Sequence, residues 1–302
     1  SIERLEGMLY SVRQLNSQAF ADVQRELTQE LRDFAQYEAA WNQAVLADVL
    51  PAKIMAVGVS VDQVAAAALS RPFQGNLLKG FLSELEEKKV RLIRQAVADG
   101  FVQGKTTADI VRGIRGTKSK GYSDGIIEIT RRDAQAIVRT ALSHTAAAAT
   151  RKTHEANSDL IKGFVWRATL DQRTSSQCRI RDHKQYDEAH KPIGHSYPWG
   201  AGPGSLHWNC RSKSTPILKS LKEITGLDIE DFEIDERASM DGVVPGATDY
   251  ATWIKKQSAA RQDDILGPKR GELLRKGDLS LADLYSAKGS PLTLDQLRER
   301  YA

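Results

Sequence analysis

The sequence predicts a mainly α protein that carries a small α+β module. The expected order is an N-terminal helical region, a central Cys/His-containing module with short strands, and a helical C-terminal tail. Three observations predict it. Apolar residues recur at three- and four-residue steps through most of the chain up to Asn157, the period of helices with one face in a core. The first strong strand signal, Gly163 to Thr169, comes only after that stretch. The segment from Trp166 to Arg211 then holds both cysteines, four of the six histidines and three of the five tryptophans.

Composition narrows the class. A hydrophobic share of 41% and a charged share of 27% are those of a globular chain able to bury a core. No apolar run reaches the roughly 18 residues of a membrane span, so no membrane partner is evident. The N-terminus has no secretory pattern. The sequence begins at Ser1 and not Met, which leaves open whether the chain is trimmed or incomplete. Two cysteines make no disulfide scaffold, and a reducing compartment is expected, which disfavours a Cys178–Cys210 bridge. The net charge of +4 is uneven. Residues 151–220 carry 12 Lys/Arg against 6 Asp/Glu, whereas 221–302 carry 12 against 16. A basic middle and an acidic tail permit contact with nucleic acid without requiring it.

Taken in order, Ile2 to Leu50 reads as one long helix, with a potential break at Asn16-Ser17 and an end at Pro51. Leu5, Leu9, Val12 and Leu15, then Val23, Leu27, Leu31 and Phe34, form its apolar stripes. Val59 to Ala68 is a short helix with Ser60 or Asp62 as its cap. Leu77 to Gly100 is the next, with Gly100 as its C-terminal stop. Gly104-Lys105-Thr106-Thr107 lacks the upstream glycine and strand of a phosphate loop, so Thr106 or Thr107 is read as the cap of a helix ending at Arg115. Gly113 to Gly125 is a basic loop, and its Arg115, Lys118 and Lys120 are candidates for DNA phosphate. Ile129 to Asn157 is the clearest helix; His144 and His154 on it are read as structural.

After the strand at 163–169, Asp187 to Gly204 reads as loops and short strands, and Ser214 to Ile224 as a return to helix. The run 228–236 is acidic and expected to be exposed. Val243 to Tyr250 is a turn leading into a helix with Trp253 and Ile254, and Gly267-Pro268 interrupts the pattern. Helices follow at 269–276, 280–286 and 293–301, the last opened by a capping box from Thr293 to Gln296. Three regions are expected: 1–103, 104–220 and 221–302.

The chemistry concentrates in the middle region. His207-x-x-Cys210 offers two metal ligands from one turn, Cys178 a third, and His183 or Asp182 a fourth. Zinc is the candidate ion. The bland alternative is two buried cysteines with hydrogen-bonded histidines. The order Cys178, Asp182, His183, His207 matches no protease signature, so no catalytic residue is expected. A metal-dependent nuclease or other hydrolase using the same cluster is the alternative. Asp171 is expected to brace Arg173 or the Thr174 turn. Arg179 and Arg181 join the loop cations as DNA-contact candidates.

These residues carry a family resemblance. Trp166-x-Ala168-x-x-Asp171-x-Arg173-Thr174, then Cys178, then His207-x-Asn209-Cys210-Arg211 resembles the Mu F-like family of phage head morphogenesis, or minor head, proteins. The upstream Ile129 to Ala134 and Val138 to Ala141, and the downstream Asp249-Tyr250-x-x-Trp253-Ile254-x-x-Gln257, continuing to Gln262-Asp263-x-Ile265-Leu266-Gly267, are also similar. The resemblance spans about Gly104 to Ala302. One departure is that the family ending often reads Asn-Cys-Arg-Cys, whereas Ser212 stands at the last place here, which removes one potential ligand. The resemblance implies a low-copy virion component in the phage head, assembled in the bacterial host cytoplasm and acting in head morphogenesis, genome packaging or DNA ejection. Its implied partners are the portal protein, other head proteins and, non-specifically, the viral genomic DNA.

Overall fold

A computed structural model describes residues 2–50, 54–225, 236–277, 279–286 and 288–301. Pro51 lies outside these, as does all but the last residue of the acidic run 228–236. The chain forms two compact units, one of residues 1–40 with 60–149 and one of 41–59 with 150–302.

The first unit is helical. Helix α1 (Ile2–Asp48) is one long helix as expected, continuous through the potential break at Asn16-Ser17. Asn16 is buried inside it. Helix α2 (Val61–Ser70) opens with the expected cap: Ser60 Oγ accepts from Gln63 N at 3.2 Å while Gln63 Oε1 accepts from Ser60 N at 3.0 Å. Helix α3 (Leu78–Val102) runs past Gly100. That glycine is wanted inside the helix, because a Cβ there would sit 2.4 Å from Ile110 Cγ1. The left-handed residue that stops α3 is Gly104, at φ +64°. Thr106 caps α4 (Thr107–Arg115), and α5 (Ile126–Ala156) follows the basic loop. Leu27 and Leu31 of α1, Phe73, Leu78, Leu82 and Leu85, and Ile137 and Ala141 of α5 form one buried cluster. Each fully buried leucine contributes about 1.5–3 kcal/mol.

The second unit is built on a four-stranded antiparallel sheet. Its strands are β1 (Ile161–Arg167), β2 (Gln185–Tyr186), β3 (Pro192–Ile193) and β4 (Lys213–Leu218), in the order β3-β2-β1-β4. Strand β4 overturns the helix expected from Ser214. It pairs with β1 from Arg167↔Lys213 to Ile161↔Leu218, and only Leu221–Thr225 (α7) is helical. The two connections at one end of the pair, 168–184 and 194–212, carry the candidate ligands. The first contains the short α6 (Ser176–Arg179). A hairpin of β5 (Glu236–Ser239) and β6 (Gly242–Pro245) precedes α8 (Tyr250–Lys255), α9 (Ala259–Leu266), α10 (Pro268–Lys276) and α11 (Leu294–Tyr301). Between the last two, only Ala282–Leu284 forms a 3-10 turn where a helix over 280–286 was expected. Leu170, Ile180, Tyr250, Trp253, Ile254, Leu274 and Leu284 centre the core of this end of the chain.

Candidate functional site

Cys178, His207 and Cys210 converge. The two Sγ atoms are 3.8 Å apart and His207 Nε2 is 3.1 Å from Cys178 Sγ. Both cysteines are free thiols and buried, at 2% and 0% exposure, and His207 is half-buried. Local chemistry places each of them. Ser175 caps α6 by accepting from Cys178 N at 3.3 Å, which fixes Cys178 on the first turn. The same Ser175 Oγ lies 2.6 Å from His207 Nε2. Asn209, at φ +57°, turns the chain between His207 and Cys210, and Cys210 N donates to His207 O at 3.1 Å.

The tautomer of His207 follows from its other nitrogen. Nδ1 is 2.8 Å from the carbonyl of Trp208. A carbonyl only accepts, so Nδ1 carries the proton and Nε2 faces the sulfurs. Burial opposes charge on this imidazole, but its hydrogen bond and attraction to Cys210 outweigh that and raise its pKa. The thiols are pushed apart: the hydrogen bond between them and burial raise Cys178, while the hydrogen bond from Cys178, reinforced by His207, lowers Cys210. Ser212 is buried, and its side chain favours the thiolate of Cys178 while its backbone favours that of Cys210.

Neither residue expected to supply a fourth ligand joins this cluster; both carboxylate oxygens of Asp182 and the Nε2 of His183 are engaged elsewhere. Asp182 Oδ1 accepts from Ala168 N and Oδ2 from Tyr250 N, both at 2.7 Å, and Arg237 binds both oxygens, at 3.3 and 3.0 Å. His183 Nε2 is taken by the Arg167 guanidinium. Burial, with Arg167 and Arg237 nearby, holds its pKa down to about 4, so it stays neutral. The other two histidines of the stretch are aromatic packing groups. His190 stacks on Trp199 at 4.4 Å between ring centres, and His195 meets the edge of Tyr186 at 4.9 Å. Trp166 and Tyr186 pack with Trp199 and Leu206 around the cysteines.

The DNA-contact candidates divide. Arg179 and Arg181 both make hydrogen bonds within the chain. Arg181 is 3% exposed and donates to the carbonyls of Pro198 and Gln177 at 3.0 and 2.7 Å. Arg179 donates to Ile265 O and Tyr285 Oη and lies over the Tyr250 ring. A sequence shows such charges but not the carbonyls that will consume them. Arg115, Lys118 and Lys120 are exposed, as expected. Their loop is closed by Asp124, which accepts from Thr117 N at 2.8 Å and from Thr117 Oγ1. Those bonds, led by the hydroxyl, hold Asp124 down to about 2. Arg115 lies 4.6 Å over the Tyr122 ring, and Lys120 is 3.6 Å from Asp124.

One feature the sequence reading missed is Arg237. It ties Asp182, Ala168 O and Thr248 O together and thereby fixes the connection that carries Cys178. Its only sequence signal is a lone cation in an acidic neighbourhood. Arg211, quoted above only as part of a motif, grips Asp171 with two hydrogen bonds, and Asp171 also accepts from Arg173 N and Thr174 Oγ1 as anticipated.

No curated protein and no solved structure matches the chain. Residues 91–215 match the family described as Phage Mu protein F like protein. That span runs from α3 into β4 and contains Asp171, Cys178, His207, Cys210 and Arg211. Over residues 91–215 the chain is therefore similar to the phage Mu F-like family.

Proposed function

We propose that this protein is a structural component of a tailed-phage head, acting in head morphogenesis at the portal or inner capsid without catalytic turnover. The observation that carries the reading is the family match over 91–215. Two further features support it. Leu15 and Val23 stand exposed along α1, at 74% and 44%, and apolar groups presented on a long helix are a usual means of docking to another protein. The exposed Arg115, Lys118 and Lys120 suit sequence-independent contact with the phosphates of the packaged genome.

The rival reading is a metal-dependent hydrolase or nuclease. In its favour, a thiol and an imidazole lie 3.1 Å apart. Against it, both thiols are buried, and among the described residues no carboxylate joins them.

The test is co-purification with heads. A chain lacking residues 1–50 should no longer associate with the portal or with assembled heads, while the intact chain does. Normal incorporation of the truncated chain would remove the docking role. Cleavage of double-stranded DNA with added Mg²⁺, Mn²⁺ or Zn²⁺ by the intact chain, abolished by His207→Ala, would promote the rival.

A further inference from the structure

The geometry points to a thiophilic divalent metal site, for Zn²⁺, formed by Cys178 Sγ, Cys210 Sγ and His207 Nε2. It does not rest on the proposed role in the phage head. All three donor atoms lie within 4.8 Å of one another. Two thiolates at about 2.3 Å from a tetrahedral zinc stand about 3.8 Å apart, and the observed Sγ–Sγ separation is 3.8 Å. The imidazole is already oriented for it. Nδ1–H is anchored on the Trp208 carbonyl at 2.8 Å, leaving Nε2 turned toward the sulfurs, as metal-bound histidines are usually held.

The donor set selects the ion. Two sulfurs and one nitrogen, with no carboxylate in the cluster among the described residues, suit Zn²⁺ and exclude Mg²⁺ and Ca²⁺ as good occupants. Three protein donors leave a fourth position, which water takes. The hydroxyls of Ser175 and Ser212 stand beside the donors to hydrogen-bond there. The ion would act as a staple. It would join the first turn of α6 to the turn before β4, segments 29 to 32 residues apart in sequence. Binding would also release the protons these donors now share.

The test is metal content and Co²⁺ substitution of the full chain, purified reduced and with its fold checked by circular dichroism. The expected result is about one zinc per chain. With Co²⁺ the expected spectrum has a thiolate-to-metal charge-transfer band in the near ultraviolet and the visible bands of a tetrahedral ion. Cys178→Ser, Cys210→Ser and His207→Gln should each weaken Co²⁺ binding at least about tenfold. Ser212→Cys adds a third thiolate and should tighten binding by about tenfold or more, with a stronger charge-transfer band. This variant keeps the test decisive if the ligand substitutions fail to fold. A folded, reduced wild-type chain that takes up neither ion overturns the site, and so does Co²⁺ binding that survives loss of both cysteines.

Discussion

Arg211 holds Asp171 through two parallel hydrogen bonds, Nη1 to Oδ2 at 2.5 Å and Nη2 to Oδ1 at 2.8 Å. The pair fixes the residue after Cys210 to the turn that follows β1. Breaking it strands a carboxylate that is 8% exposed. Arg211→Ala should lower stability to urea by about 2–4 kcal/mol, and Arg211→Lys by less, since lysine keeps the charge but loses the fork. The Arg211 and Thr174 bonds overcome burial and hold the Asp171 pKa below its ordinary value. Its stabilisation is therefore complete above about pH 4 and is lost as pH falls further; Asp171→Ala should flatten that acid limb.

His154 gives a second, separate acid response. It is buried and stacks on Phe164 at 5.3 Å, and burial, with His190 nearby, holds its pKa down to about 4. The unfolded chain takes up this proton near pH 6.5 and the folded chain does not. Stability should therefore be full above about pH 6.5 and decline toward pH 4, by roughly 3 kcal/mol in all. Denaturation midpoints measured across that range should lose this slope in His154→Phe.

Gly163 packs against the backbone of β2. A Cβ there would lie 2.4 Å from the carbonyl oxygen of Tyr186, a backbone atom that cannot swing away. Gly163→Ala should cost about 2–3 kcal/mol by prising the strands apart. An unchanged melting temperature would contradict this packing.

Charge reversal should separate exposed from buried cations. Replacing Arg115, Lys118 and Lys120 together with Glu should leave the melting temperature nearly unchanged. It should also weaken DNA binding at low salt and lower the slope of log K against log salt by about 2–3. Arg181→Glu should instead unfold the chain, because it places a second carbonyl-facing acceptor where a donor is required. Equal effects of the two variants on folding would show that the division is wrong.

What was legible in the sequence follows from where the information sits. The caps at Ser60, Thr106 and Thr293 are local chemistry, and all three were readable. The convergence of Cys178 with the His207 turn was readable from the concentration of ligand-type residues between Trp166 and Arg211, although they sit on two connections separated by β2 and β3. Strand β4 was not, because Ser214-Thr215-Pro216-Ile217-Leu218 becomes a strand only by pairing with β1, some fifty residues earlier. The β5–β6 hairpin had an available turn signal that went unused: Asp241-Gly242, with Asp241 in the two-residue loop and Gly242 opening β6 at φ +111°. The fates of His183, Arg179 and Arg181 were hidden for another reason. Each is decided by a distant acceptor or donor that no spacing rule reports.

The strand order β3-β2-β1-β4 also bears on synthesis. The strand β1 is made early, but its longest partner is made last. At about 5–20 residues per second, roughly two to nine seconds separate the end of β1 from the start of β4 on the ribosome. Throughout that interval β1 presents an unpaired edge, with Phe164 and Trp166 on it, to whatever is near. The nascent chain is then most prone to misassociation, and slowing translation between Arg167 and Lys213 should lower the yield of native protein more than slowing it elsewhere.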